Sequence, residues 1–139
     1  MKMILFICVI FLGFGSQIKC QTMVGLSKPE VVAAVKEDHK GFKKDDSVIK
    51  QHFNYLKYVN RPRTKTWIIY FNEQDVCKTS KMVCDYLYLN EIEEDLNNRY
   101  TRTGEDLWEF QVDSAIIQVE LIRLDWYFSI RETKKTIQE

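Results

Sequence analysis

The stretch Leu107–Arg131, "LWEFQVDSAIIQVELIRLDWYFSIR", decides the fold. Trp108, Phe110 and Val112 alternate with Glu109 and Gln111. Ile117, Val119 and Leu121 alternate with Gln118 and Glu120, and Trp126, Phe128 and Ile130 with Ser129 and Arg131. Side chains of a strand point to opposite faces in turn, so this period of two predicts strands with one dry face and one wet face. That is the pattern of an antiparallel sheet. Asp113-Ser114 and Asp125 are the expected tight connections.

Working upstream, "TWIIYF" (Thr66–Phe71) and "MVCDYLYLN" (Met82–Asn90) bring the predicted strands to five. Between them and the opening stretch, Asn90–Asp106 reads as a polar excursion, with the acidic run Glu91, Glu93, Glu94 and Asp95 on a solvated loop. Further upstream the period becomes helical. "SKPEVVAAVKEDHK" has Ser27 and Glu30 in capping-box spacing and Pro29 in the first turn. A second helix is expected from Asp46 to Val59, where Ile49, Phe53, Leu56 and Val59 recur at helical spacing, with "NRPR" (Asn60–Arg63) ending it. At the other end, "ETKKTIQE" (Glu132–Glu139) reads as a solvated tail. The expected class is mainly β with an N-terminal helix. Residues 21–60 are helical, 64–131 form antiparallel strands, and the helix stripe and the aromatic strand faces cover one another.

The N-terminus sets the compartment. Lys2 precedes an uncharged, nearly all-apolar run from Met3 to Phe14, followed by Gly15 and Ser16. This is the layout of a secretory signal peptide spanning residues 1–20, cleaved between 15 and 20. The run is shorter than the about 20 apolar residues of a membrane span. The expectation is a single secreted domain, residues 21–139, with no membrane attachment after cleavage. Lys2 and Lys19 leave with the longest signal, and 18 basic against 20 acidic residues remain. That balance gives no footprint for nucleic acid.

Export makes the cysteines candidates for disulfides. Cys77 and Cys84 flank "KTSK" (Lys78–Lys81), taken as a turn, and could staple a hairpin neck. A loop that short gives about 2–3 kcal/mol. The alternatives are pairing with Cys20 or with a partner outside this chain. Six intervening residues do not fit the two to four of structural zinc sites, nor Cys-x-x-Cys redox chemistry. His39 and His52 are the only histidines, and the common hydrolase, metalloprotease and phosphate-loop motifs do not occur. No enzyme activity, cofactor or metal is expected.

The aromatic strand faces suit a small ligand enclosed by a cupped antiparallel sheet. An ammonium is attracted by aromatic faces and a nearby carboxylate. Trp108, Phe110, Glu109 and Asp85 are the candidate ligand-binding residues on that reasoning.

The export signal, the helix, "TWIIYFNEQD", a cysteine at the start of the next strand and "GEDLWEFQVDSAIIQVEL" resemble the front half of the tick salivary lipocalins, over about Val48–Leu124. The resemblance implies an eight-stranded antiparallel barrel, complete or partial, that sequesters histamine, serotonin or a lipid mediator. The family's later strands, C-terminal helix and cysteines have no counterpart after Arg131, so no ligand residue is carried over. The alternative architecture is cystatin-like α+β, a helix across a four- or five-stranded sheet, acting as a cysteine-protease inhibitor or a secreted interaction effector. Its Gln-x-Val-x-Gly signature is not met by "QVDSA" (Gln111–Ala115).

Overall fold

The computed structural model describes residues 22–47 and 52–137. The signal-peptide segment and Cys20 lie outside the described residues. So does the first turn of the expected second helix, with Ile49.

Eight strands form one open antiparallel sheet: β1 (Phe42–Lys44), β2 (Tyr55–Asn60), β3 (Lys65–Phe71), β4 (Cys77–Cys84), β5 (Thr101–Gly104), β6 (Leu107–Val112), β7 (Ala115–Arg123) and β8 (Phe128–Lys134). Helix α1 (Lys28–Asp38) precedes β1, and α2 (Leu89–Arg99) precedes β5. The spatial order is β1-β2-β3-β4-β8-β7-β6-β5. The molecule is thus two units of one helix and a four-stranded meander, joined through their last strands, β4 and β8. The sequence shows no repeat that announces this.

Both helices cover the same face. Side chains directly opposite across a ladder share a face. The pairs Leu56–Ile69, Ile69–Ser80, Ser80–Glu132, Glu132–Val119, Val119–Trp108 and Trp108–Arg102 therefore form one continuous inner row. On one half of this face Val31 and Val35 of α1 pack with Leu56, Tyr58, Trp67, Ile69, Phe71 and Cys77. On the other, Leu96 of α2 packs with Cys84, Tyr100, Trp108, Val119, Leu121 and Phe128.

Helix α1 forms as its sequence predicts. Pro29 occupies the first turn, and the Glu30 carboxylate accepts from both the amide and the hydroxyl of Ser27, each at 2.7 Å. The strands at 66–71, 107–112 and 115–124 are also found, within a residue of their expected ends.

Four expectations are corrected. The second helix is not formed at its C-terminal end: Tyr55–Asn60 is β2, with Leu56 and Tyr58 buried on one face. Leu56 and Val59 fit a helical spacing, but pairing with β3 wins. "NRPR" belongs to the hairpin turn, where Asn60 Oδ1 accepts from the amides of Thr64 and Lys65 at 3.0 and 2.8 Å. The strand placed at Met82–Asn90 lies upstream as β4, so "KTSK" is strand and not turn. Tyr86–Tyr88 is a 3-10 turn, capped by Asp85 Oδ1 accepting from Leu87 N.

The Asn90–Asp106 excursion is α2 followed by β5. Leu89, Ile92 and Leu96 give α2 its apolar stripe, with Glu91 in the first turn and Arg99 in the last, both favourable to the helix dipole. Finally, β8 starts at Phe128 and runs to Lys134, taking in the first three residues of the expected tail. Trp126 sits in the β7–β8 turn, 89% exposed.

The Cys77–Cys84 staple is not made. The two thiols are free, buried and at opposite ends of β4. Seven residues of strand span about 23 Å, far beyond a disulfide's reach of about 7 Å between Cα atoms. An odd separation would normally put them on opposite faces. Phe71 pairs with Cys77 while Tyr70 pairs with Thr79, and this bulge at Lys78 turns both cysteines inward.

Candidate functional site

A cavity of about 220 Å³ lies between α2 and the central strands of the inner face. Trp67, Met82 and Ile130 line its floor from β3, β4 and β8, and Ile92 and Leu96 line its roof from α2. Lys65, Ser80, Asp95, Arg99 and Glu132 supply the polar lining.

Glu132 is the unusual member. It occupies the middle of the inner row, between Ser80 and Val119, and is the one carboxylate in that row. Its Oε2 accepts from Thr22 Oγ1 at 2.6 Å. Burial pushes its carboxyl above the usual range, while the Thr22 hydrogen bond and the Arg99 charge pull the other way. A carboxylate offers about four acceptor sites, so one hydroxyl leaves much of its capacity unused.

The surroundings are fixed by hydrogen bonds. Trp67 Nε1 donates to Ser80 Oγ at 2.8 Å, and His39 of the α1 end meets the Trp67 ring edge-on at 4.9 Å. Arg99 pairs with Asp95 one helical turn earlier and donates to Tyr100 Oη at 2.9 Å. Lys65 extends its ammonium over the Tyr88 ring, 4.5 Å from the centroid. No carboxylate among the described residues lies within ion-pair distance of it.

None of the four residues expected to bind ligand lines this cavity. Trp108 is fully buried, with Nε1 donating to Asn97 Oδ1 of α2 at 2.9 Å. Phe110 stacks on Tyr100 with centroids 4.3 Å apart. These two aromatics hold the C-terminal part of α2, and so support the cavity's roof. Glu109 points to the outer face, paired with Lys135 at 2.6 Å. Asp85 is the cap already described. Glu132 escaped the sequence reading because its tail is polar. The signal was present, since Phe128, Ile130 and Glu132 continue one period-two series.

A second, more open groove of about 310 Å³ is lined by His52, Phe53, Asn54, Tyr70 and Lys78, among others. Burial raises the thiols to about 12 for Cys77 and about 11 for Cys84, so neither is a nucleophile at neutral pH. No family model, curated protein or solved structure matches the chain.

Proposed function

We propose that this is a secreted, non-enzymatic binding protein that holds a small amine in the cavity beneath α2. The carrying observation is Glu132: a half-buried carboxylate in the middle of the inner row, on the wall of a cavity that Trp67 also lines. A bound ammonium would supply the charge partner that burial denies it, and Trp67 would add cation–π attraction.

The volume favours an amine such as histamine or serotonin over a lipid, because drug-sized ligands occupy about 300–1,000 Å³. The lipocalin-like form of this reading needs β1 and β5 to meet and close the sheet, whereas they are the two edges of the open order. Ligand binding does not depend on that closure.

Calorimetric titration with histamine, serotonin and a fatty acid tests the proposal. The expected result is heat with at least one amine and quenching of Trp67 fluorescence by histamine, lost in Trp67→Phe. Silence with all three overturns it.

A second reading has its own observation. Leu87, Leu124, Trp126 and Tyr127 are exposed together around the β7–β8 turn, and Tyr86 Oη bonds to the Leu124 carbonyl. Each unit, a helix on a four-stranded meander, also has the outline of the cystatin-like alternative. A protease inhibitor or interaction effector would use this apolar tip. Inhibition of a papain-type protease, lost in Trp126→Ala, would favour it; unchanged protease activity would remove the inhibitory form.

A further inference from the structure

We infer that the ligand of this cavity is a small zwitterion, an α-amino acid with an apolar side chain, rather than a simple amine. The inference rests on the reading that the cavity is a ligand site, and it concerns the other half of the polar lining. Opposite charges stand on facing walls: Glu132 rises from the β8 floor, and Arg99 descends from the α2 roof.

Glu132 contacts the Thr22 hydroxyl but none of the described cations within ion-pair distance. Arg99 spends donors on Asp95 and Tyr100, yet a guanidinium has five. Lys65 adds a second cation at the cavity wall, with an aromatic ring beside it and, among the described residues, no carboxylate within ion-pair distance.

A simple amine would satisfy Glu132 but leave a net positive charge in a space where Lys65 and Arg99 already balance Glu132 and Asp95. A simple carboxylate would meet the cations but repel Glu132. A molecule carrying both charges on one carbon satisfies both walls without changing the net charge of the site. Its side chain would lie along Trp67, Met82 and Ile130, the apolar floor. The volume, below the drug-sized range, suits a single amino acid.

The chemistry is tested with a series that differs in one charge at a time: L-phenylalanine, phenethylamine, which lacks the carboxylate, and 3-phenylpropionate, which lacks the ammonium. Titration calorimetry on the full secreted chain should find phenylalanine at least about tenfold tighter than either partner. Arg99→Met should weaken phenylalanine until it binds no tighter than phenethylamine. Glu132→Gln, nearly the same shape, should weaken phenylalanine and phenethylamine but not 3-phenylpropionate, with circular dichroism confirming the fold. Phenethylamine binding as tightly as phenylalanine would overturn the zwitterion and leave the amine site standing. If none of the three binds and the amines above also fail, the cavity is not a ligand site and both proposals fall.

Discussion

The two helices cover the same face of one sheet and do opposite things there. Helix α1 seals its half: Val31 and Val35 are buried against Ile69, Phe71 and Cys77. Helix α2 commits one fully buried residue, Leu96, and carries Asp95 and Arg99 beside it, so its half keeps a cavity. Topology alone therefore does not make a site. Two units with the same order of elements differ because one helix offers short apolar side chains and the other offers long charged ones. The charges cannot be buried tightly without partners, so a space remains beneath α2.

Core truncation is the largest expected effect and the sharpest way to break this contrast. Ile69→Ala empties a fully packed position and should cost about 2–5 kcal/mol in urea unfolding. Leu96→Ala enlarges a space that already exists, and should fall at the bottom of that range. Equal costs would mean that both helices seal the sheet alike.

The helix starts differ next. Ser27→Ala removes a hydroxyl held by Glu30 and should cost about 1 kcal/mol. Helix α2 has Tyr88 at the same position with no side-chain cap, so Tyr88→Ala should change stability through the Lys65 and Thr64 contacts and not through capping.

The acids of the two units should respond to pH with opposite sign. The Glu30 carboxyl is lowered by its Ser27 hydrogen bonds, so its contribution is present at neutral pH and lost as acid protonates it. Glu132 is raised by burial. The native state then holds more protons than the unfolded chain, and stability falls as pH rises from the ordinary value of 4.5 through the raised one. Urea midpoints between about pH 3 and about pH 8 should show that decline in the parent protein, and Glu132→Gln should remove it. A decline that survives the substitution would place its source elsewhere.

The smallest expected effect is chemical. Cys77 and Cys84 should resist iodoacetamide in the native protein and both react once it is unfolded, read on the peptides that carry them by mass spectrometry. Native labelling of either would contradict its burial in the unit to which it belongs.

Much of this arrangement was legible in the residues. Alternation in Leu107–Val112 and Ala115–Arg123 marks strands because apolar and polar residues take strict turns there. Ser27, Pro29 and Glu30 mark α1 by local chemistry. The expectations that failed are those where local signals compete with distant pairing. Leu56 and Val59 satisfy a helix period, but β3 lies alongside and claims them. "LNEIEEDLNNR" (Leu89–Arg99) has its apolar stripe thinned by five intervening polar residues, and reads as a loop until Trp108 and Tyr100 are brought beneath it. The site was least legible. Aromatic content pointed to Trp108 and Phe110, which support the roof, whereas Glu132 is marked only by its place in the Phe128, Ile130, Glu132 alternation, at the start of a polar run.

The most direct test of the cavity is the backbone and indole amide NMR spectrum of the protein during titration with L-phenylalanine. The account predicts shifts at the Trp67 indole, Met82, Ile130, Glu132 and the Leu96–Arg99 turn of α2, with the Trp126 indole unmoved. Shifts confined to Leu124–Tyr127, or none at saturating ligand, would contradict it.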